Sequence, residues 1–425
     1  MCTGIDISEI SRFVNASDNL LKKLFCESEM EYINLKKRAA QTIAGMFSAK
    51  EAFFKALGTG IRYFGFRDLI IKKDDLGKPY FDYSENLKKY LDEKGIKSAD
   101  VSISHDGAAA VSCVNLTIDG KMHSFEKCVK KADTDEEGII SLKLAKNLLP
   151  KRKPDSHKGD YGKAFIVAGS KGLTGAGFFS SEACLKCGSG LITLGCPDSL
   201  DTVFEILLKE VMTLPLSDKN GILTKECINA IIDKCEKSDV LLIGCGLSNN
   251  PDTQKIVCDV VKNVKIPKVI DADGINALSA NIDILNEHEG EVVLTPHFME
   301  FSRISGFSLD KIKENPEKCA LLFAKKYNVT LVLKSHNTVV VSPDGKCFKN
   351  VLGNPGMATG GSGDVLAGAI ASFIGQKLGA FDASCLGVFV HSLAGDIAAL
   401  DKGFCALTPS DILDNIPYAI KYMGG

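Results

Sequence analysis

Between Lys163 and Ser335 the chain alternates between two textures, and that alternation limits its fold more than any other feature. KAFIVAGS, LITLGCP, DVLLIGCG, PKVIDAD, EVVLTPH and VTLVLKS are short apolar runs without the in-out alternation of a half-exposed strand. Helical segments such as DTQKIVCDVVKNV and PEKCALLFAKKY lie between some of them. A strand apolar on both faces has to be covered on both, and helical crossovers return the chain in the same direction. The expectation is an α/β domain, a largely parallel sheet covered by helices.

Residues 1–118 have another texture. A short strand around Gly4–Ile7 is followed by helical segments to about Leu57. FRDLIIKKDDLGKPYFDY reads as two strands turned at Asp75–Gly77, Ser84–Lys94 as a helix, and VSISHD and AAAVSCVNL as paired strands. This is an α+β pattern. From Thr117 the composition shifts to DGKMHSFEKCVKKADTDEEG, charged and without period. The expected division is therefore a domain at 1–118, a linker at 119–133 and a domain at 134–425. Within the last, IISLKLAKNLLP reads as a short amphipathic helix, and the triplet Lys151–Arg152–Lys153 as a solvated face, with an anion patch as the alternative.

A formal net charge of −2 gives no support for nucleic acid or an anionic membrane as the main partner. The 15 cysteines are scattered, and several, such as Cys258, Cys319 and Cys385, sit in apolar runs, as reduced core thiols do. One CxxC, Cys184 to Cys187, lacks a second ligand pair and reads as structural. MCTGIDISEI has no basic or apolar leader region, and no uninterrupted apolar run approaches the roughly 20 residues that span a bilayer. A cytoplasmic protein is expected.

Chemistry first shows in FSAKEAFFKALGTG. Ala49, Ala52, Phe53, Ala56 and Leu57 make a buried helix face, while Glu51 and Lys55 lie four apart on another. Alone, that pair is a surface contact worth a few tenths of a kcal/mol. Asp6 changes the reading, because an acid between Ile5 and Ile7 on a strand needs a partner or a metal. Two carboxylates with phosphate oxygens and water suit Mg²⁺, and His105 ends a nearby strand run.

GIDISEISRF, FSAKEAFFKALGTG, FRDLIIKKDDLGKPYF and VSISHDGAAAV, in this order, resemble the holo-acyl-carrier-protein synthases, the short phosphopantetheinyl transferases. The resemblance implies that Asp6 and Glu51 hold Mg²⁺ against the pyrophosphate of coenzyme A. A serine of an apo-acyl-carrier protein then attacks the phosphate on the pantetheine side. Lys55 is implied as a phosphate contact, Arg12 as a contact to the acidic carrier, and His105 as a positioning group. Family members form trimers, so a homo-oligomer is implied. Met46 stands where the family usually has arginine.

The second stretch is GNPGMATGGSGDVLAG. Gly360, Gly361 and Gly363 allow close approach of backbone to an anion, and VLAGAIASFIG begins a helix whose free N–H groups form an anion site. Asp364 in that first turn is either a dipole-satisfying acid or a general base for a hydroxyl being phosphorylated. No GxxxxGK[ST] loop occurs, which excludes P-loop chemistry.

KGDYGKAFIVAGSKGLTGAG, LLIGCGLSNN, VIDADGINAL, VLTPHFMEF, LVLKSHNTVVVSPDG and the glycine-rich stretch, together with ALTPSDILDNIP, resemble the ADP-dependent NAD(P)H-hydrate dehydratases of the ribokinase-like fold. The resemblance implies repair of the S epimer of hydrated NADH or NADPH with ADP, or ATP, as phosphoryl donor and Asp364 as base. Ala176, Gly246 and His297 would contact the hydrate, His297 having the capping of a strand end as its structural alternative. Lys334, Ser335, His336, Asn337, Thr338 and Gly363 would hold the nucleotide, with Asn354 and Asp273 at the rim. GCGLS, TPHFME and KS depart from the family's GPGLG, TPHxGE and KG. The alternatives are a ribokinase-like kinase of a small alcohol and a non-catalytic nucleotide sensor.

Overall fold

In the computed structural model, residues 2–118, 125, 126 and 128–425 are described. Contacts divide the chain into two units between Ser124 and Phe125. Part of the expected linker, residues 119–124 and 127, lies outside the described residues. The rest belongs to the second unit, where Phe125, Val129 and Ala132 are buried. Lysines and acids between those anchors hid their spacing.

In the first unit, the strand Cys2–Glu9 pairs antiparallel with Ala109–Ile118, which pairs antiparallel with Ile96–Asp106. The helix Ala40–Leu57 lies across this sheet, burying Ala49, Ala52, Phe53 and Ala56, and ends at Gly58 in the left-handed region with φ 75°. Gly4 sets how closely strand and helix approach: a Cβ there would stand 2.0 Å from the Ala52 carbonyl oxygen. FRDLIIKKDDLGKPYFDY folds as the expected hairpin, Leu69–Lys73 against Pro79–Tyr83.

The core of this unit contains an ion pair that sequence reasoning did not assign. Lys50 and Glu29 have fully buried side chains, with Nζ 2.7 Å from Oε2. Lys50 also donates to the carbonyls of Leu24 (3.1 Å) and Phe66 (2.8 Å). Glu29 accepts from the amides of Ile71 and Cys26 at 2.9 and 3.0 Å. All three ammonium protons are therefore used, as burial of a charge requires.

The second unit is built on a nine-stranded sheet. From one edge its strands are Cys347–Lys349, Val339–Val341, Thr330–Leu333, Val292–Leu294, Lys268–Ile270, Val240–Ile243, Lys163–Val167, Leu191–Pro197 and Met212–Leu216. All neighbouring pairs are parallel except the two at the first edge. The α/β expectation holds, with an antiparallel edge added. The strands absent from the expectation are short or, like Met212–Leu216, partly exposed and carry Pro215 at an edge.

Lys163–Val167, the first strand in sequence, lies inside the sheet between Val240–Ile243 and Leu191–Pro197. Strand order reverses there, which opens a crevice beyond the carboxyl ends of the strands. Ser362–Gly375 and Ala380–Lys402 are the most buried helices. The latter is long and apolar enough, by length and composition, to cross a membrane. Asp382, His391 and Asp396 interrupt it, and 83% of its most apolar window is buried within the protein, as in a core helix. All 15 cysteines are free. Cys184 and Cys187 are buried at the end of the helix Thr174–Lys186, and burial pushes the Cys184 thiol up to about 12.

Candidate active sites

In the first unit, close packing of the Gly4 strand on the long helix brings Asp6 over one helical turn. Asp6 Oδ1 accepts from Lys55 Nζ at 2.8 Å, its Oδ2 from Ser8 Oγ at 2.9 Å, and its backbone carbonyl from buried Ser48 at 2.9 Å. Glu51 lies one turn before Lys55 on the same helix. Burial first, and then the Asp6 carboxylate, raise the Glu51 pKa, against the opposing charges of Lys55 and Arg12. The Arg12 guanidinium is held over the Phe47 and Phe13 rings at 5.7 and 5.9 Å. Asp6, Glu51, Lys55 and Arg12 thus share one site.

His105 shares the sheet face of Asp6 but not its neighbourhood. It pairs with Ala110 and is exposed, two strand spacings, about 10 Å, from the first strand. Met46 is buried in the core beneath. Glu51, raised by burial and by the Asp6 carboxylate, forms with partly buried Asp6 an oxygen-donor pair. That fits a hard divalent cation such as Mg²⁺.

In the second unit the crevice ends of successive strands converge. Asp271 follows Lys268–Ile270, Thr295 follows Val292–Leu294, and Lys334 follows Thr330–Leu333. Buried Asp271 accepts from Thr295 Oγ1 at 2.6 Å and from Lys334 Nζ at 2.7 Å through the same oxygen, Oδ1. Its other oxygen accepts from Cys245 Sγ at 3.7 Å. Burial opposes the Lys334 charge, but Asp271 and Glu300 outweigh it and hold the ammonium above the ordinary lysine range.

Asp364 enters from the first turn of the helix Ser362–Gly375. Gly361, at φ 98°, turns the chain into that helix, and a Cβ on it would stand 2.9 Å from the Phe179 ring. A Cβ on Gly363 would approach Lys334 Nζ to 3.3 Å, whereas one on Gly360 would meet nothing. Burial, and next the Asp271 carboxylate, push Asp364 up to about 6. Beneath the turn, Ser362 Oγ meets His391 Nε2 at 3.2 Å, and burial lowers that imidazole to about 4, so it is neutral.

Of the expected hydrate contacts, Ala176 and Gly246 touch: a Cβ on Gly246 would lie 2.7 Å from that of Ala176. His297 caps a helix rather than a strand end, its Nδ1 accepting from the amides of Met299 and Glu300 at the start of Phe298–Ser305. Burial, then the charges of Lys334 and Arg303, lower its pKa. Nδ1 is thus the acceptor, and half of the side chain remains exposed. Among the nucleotide candidates, Lys334 and Gly363 meet, His336 and Asn337 are exposed on the following turn, and Thr338 is buried, bonded to Ser335 at 3.0 Å. Asn354 is tied to Asp396 at 2.9 Å.

Asp271, Cys245 and Thr295 are site residues that sequence reasoning left unassigned. The usable signal was an acid directly after a buried apolar strand, VIDAD. Two backbone conformations here are unusual for residues with a Cβ: Ala272 at φ 48°, ψ −115°, and Ser248 at φ 67°. Ser248 replaces a family glycine and is anchored through its amide to Asp273 at 2.9 Å and through Oγ to Ser170 at 2.9 Å. Such positions persist only where surrounding structure imposes them, which is common beside ligands.

Cys245, Asp271 and Asp364 each bring a ligand atom within 4.8 Å of the others. A hard Mg²⁺ does not select a thiol, and Lys334 already neutralises Asp271. This donor set does not fit Mg²⁺.

Residues 164–418 match the family model described as NAD(P)H-hydrate dehydratase, and residues 2–113 that of the 4'-phosphopantetheinyl transferase superfamily. The chain is 38% identical over 284 residues to the Bifunctional NAD(P)H-hydrate repair enzyme Nnr of Moorella thermoacetica, covering 67% of this chain and 54% of that protein. It spans about half the length of several curated relatives of that kind. It is 33% identical to the ADP-dependent (S)-NAD(P)H-hydrate dehydratase of Staphylococcus aureus, covering 67% of this chain and 99% of that one. Among solved structures, a ribokinase-like superfamily protein from Enterococcus faecalis is similar with a TM-score of 0.57 and 30% identity, covering 68% of this chain and 98% of that one.

Proposed function

The chain belongs, through residues 164–418, to the NAD(P)H-hydrate dehydratase family and carries a phosphopantetheinyl transferase superfamily domain at 2–113, and on that premise we propose a bifunctional enzyme. The second unit restores the S epimer of hydrated NADH or NADPH with ADP. The first transfers 4'-phosphopantetheine from coenzyme A to a serine of an apo-acyl-carrier protein.

The observation that carries the dehydratase reading is Asp364, a carboxyl raised to about 6 between the helix N-terminus and the Asp271–Lys334 pair. A base of that pKa is ionised at neutral pH yet accepts a proton readily. Asp364 removes the hydroxyl proton of the hydrate as its oxygen takes the terminal phosphoryl group of ADP. Lys334 and the N-terminal turn of the helix Ser362–Gly375 offset the charge that develops on the phosphoryl oxygens. Phosphate then leaves with the C–O electron pair, expelled by the lone pair of the ring nitrogen, and loss of a proton from the neighbouring ring carbon supplies the electrons of the restored double bond. The balance is hydrate plus ADP to NAD(P)H, AMP and phosphate. Ala176 and Gly246 border the crevice on the hydrate side, and His297, half-exposed with Nε2 3.4 Å from Glu300 Oε1, is the third hydrate contact.

Purified full-length chain is given the S hydrate with ADP or ATP, and NADH recovery and phosphate release are followed. Equal recovery of both is expected. A stable phosphoester without NADH would establish the small-alcohol kinase instead, and no consumption of nucleotide the sensor.

In the first unit, Asp6 and Glu51 would hold Mg²⁺, which when bound neutralises charge on the coenzyme A pyrophosphate. Lys55 contacts a phosphate oxygen, and Arg12 presents a cation to the carrier. Glu51→Gln is expected to lower carrier modification by at least 100-fold while hydrate repair by the same chain is unchanged; modification within threefold of wild type would remove Glu51 from the site. We further propose self-association of this unit through the sheet face opposite Asp6, where Ile5, Ile7 and Val111 are 55%, 66% and 38% exposed. Sedimentation of the full chain as single molecules would exclude it. A cytoplasmic location suits both sets of substrates.

A further inference from the structure

The basic triplet that begins at Lys151 takes part in neither site. Lys151 and Arg152 instead line a cavity of about 850 Å³ in the second unit, joined there by Lys146, Lys186 and Lys421. In a chain of 51 basic and 53 acidic residues, no acidic side chain among the described residues lines this cavity. Apolar groups, among them Leu149, Leu185 and Ile420, share the rest of the wall with Gln376 and with the backbone of Gly188, Gly424 and Gly425.

Part of this charge has a plainer origin. Lys146, Lys186 and Lys421 each sit in the last turn of a helix, where a cation complements the dipole. Lys186 is also paired with Asp414 at 2.9 Å. That accounts for neither Lys151 nor Arg152, which lie outside helices. The Arg152 guanidinium is fixed, stacked on Tyr161 at 4.3 Å and bonded to the Gly188 carbonyl at 2.8 Å, with most of its donors left over. Nor does a dipole explain why separate helix ends and a loop bring their cations around one apolar-walled space.

We propose that this cavity binds an organic pyrophosphate: a phosphoric anhydride, recognised by the cations, attached to an apolar or aromatic body that lies on the wall. The volume is that of a small-molecule site. It lies at the far end of the helix Ser362–Gly375 from Asp364, about 14 Å along the axis from residue 364 to residue 373. The proposal is independent of the reading of either active site.

Hydrogen exchange of the full chain, read peptide by peptide, separates this cavity from both active sites. Coenzyme A, ADP and inorganic pyrophosphate are added separately to wild type and to Lys151→Glu/Lys421→Glu, whose altered side chains are exposed. Protection of peptides spanning 146–152 and 417–425 by coenzyme A or by ADP is expected and identifies the source. In the double variant, the concentration needed for that protection should rise at least tenfold, with hydrate turnover unchanged. Absence of protection there with both organic ligands would overturn the proposal. Equal protection by inorganic pyrophosphate would overturn the claim that the apolar wall selects an organic body. Unchanged affinity in the double variant would place the ligand elsewhere.

Discussion

Asp364→Asn is expected to lower hydrate turnover by about 10²–10⁴-fold, the usual worth of a positioned base, and at the same time to stabilise the protein. The second effect follows from the sign of the shift. Burial and the Asp271 carboxylate raise Asp364 to about 6 in the folded state, against about 3.9 in an unfolded chain. A carboxyl raised on folding contributes most below its unfolded pKa, and that contribution is lost as pH rises through the folded value. At pH 8 the wild type therefore carries a penalty of about 1–3 kcal/mol that a neutral amide escapes. Urea unfolding at pH 8 should show the variant ahead, and the gap should close near pH 4. Wild-type kcat/KM should fall on the acid side of about 6. Asp271→Asn removes a charge that raises Asp364, so it should move that limb to lower pH. Full turnover in Asp364→Asn would end the base assignment, whatever the stability.

Lys50→Ala is expected to destabilise the first unit by about 3–5 kcal/mol, because it strands the Glu29 carboxylate in the core without its partner. A domain is held by only about 5–15 kcal/mol, so carrier modification should fail with the fold rather than with the chemistry. The control is to remove both charges: Lys50→Met/Glu29→Met should recover most of the loss, since an apolar pair of similar volume is often as stable as a buried ion pair. Thermal unfolding followed by circular dichroism reads both variants. A loss under 1 kcal/mol in Lys50→Ala would mean that Glu29 takes up a proton or reaches water, and the pair would not be structural.

Lys50 also shows where sequence reasoning ran out. In FSAKEAFFKALGTG the apolar spacing assigns the buried face, and Lys50 looks like one more solvated cation beside Glu51 and Lys55. Its burial depends on a carboxylate 21 residues earlier and on the carbonyls of Leu24 and Phe66, which only folding brings there. His297 has the opposite history. Its place in TPH marked it as a ligand contact, while the structure adds a helix cap through Nδ1 that orients the other nitrogen. His105 was grouped with Asp6 by order along the chain, yet the sheet sets it two strands away. Asp271 directly follows a buried apolar strand, but the partners that give it a role, Thr295 and Lys334, lie 24 and 63 residues further along the chain.

What the sequence determined by itself was local or periodic. Apolar runs broken by helices required a covered parallel sheet, glycines before Asp364 marked a turn that carries an acid into a helix N-terminus, and the spacing in FSAKEAFFKALGTG selected one helix face. These follow from side-chain size, backbone freedom and periods of two or 3.6 residues, all of which act over a few neighbours. Tertiary structure alone decided which charges meet. Asp271 joins Lys334 across 63 residues and Lys55 reaches Asp6 across 49. Electrostatic environment is set by burial and by partners distant in sequence, so the acid raised to about 6, the neutral His391 and the cation-lined cavity exist only once the chain has folded around them.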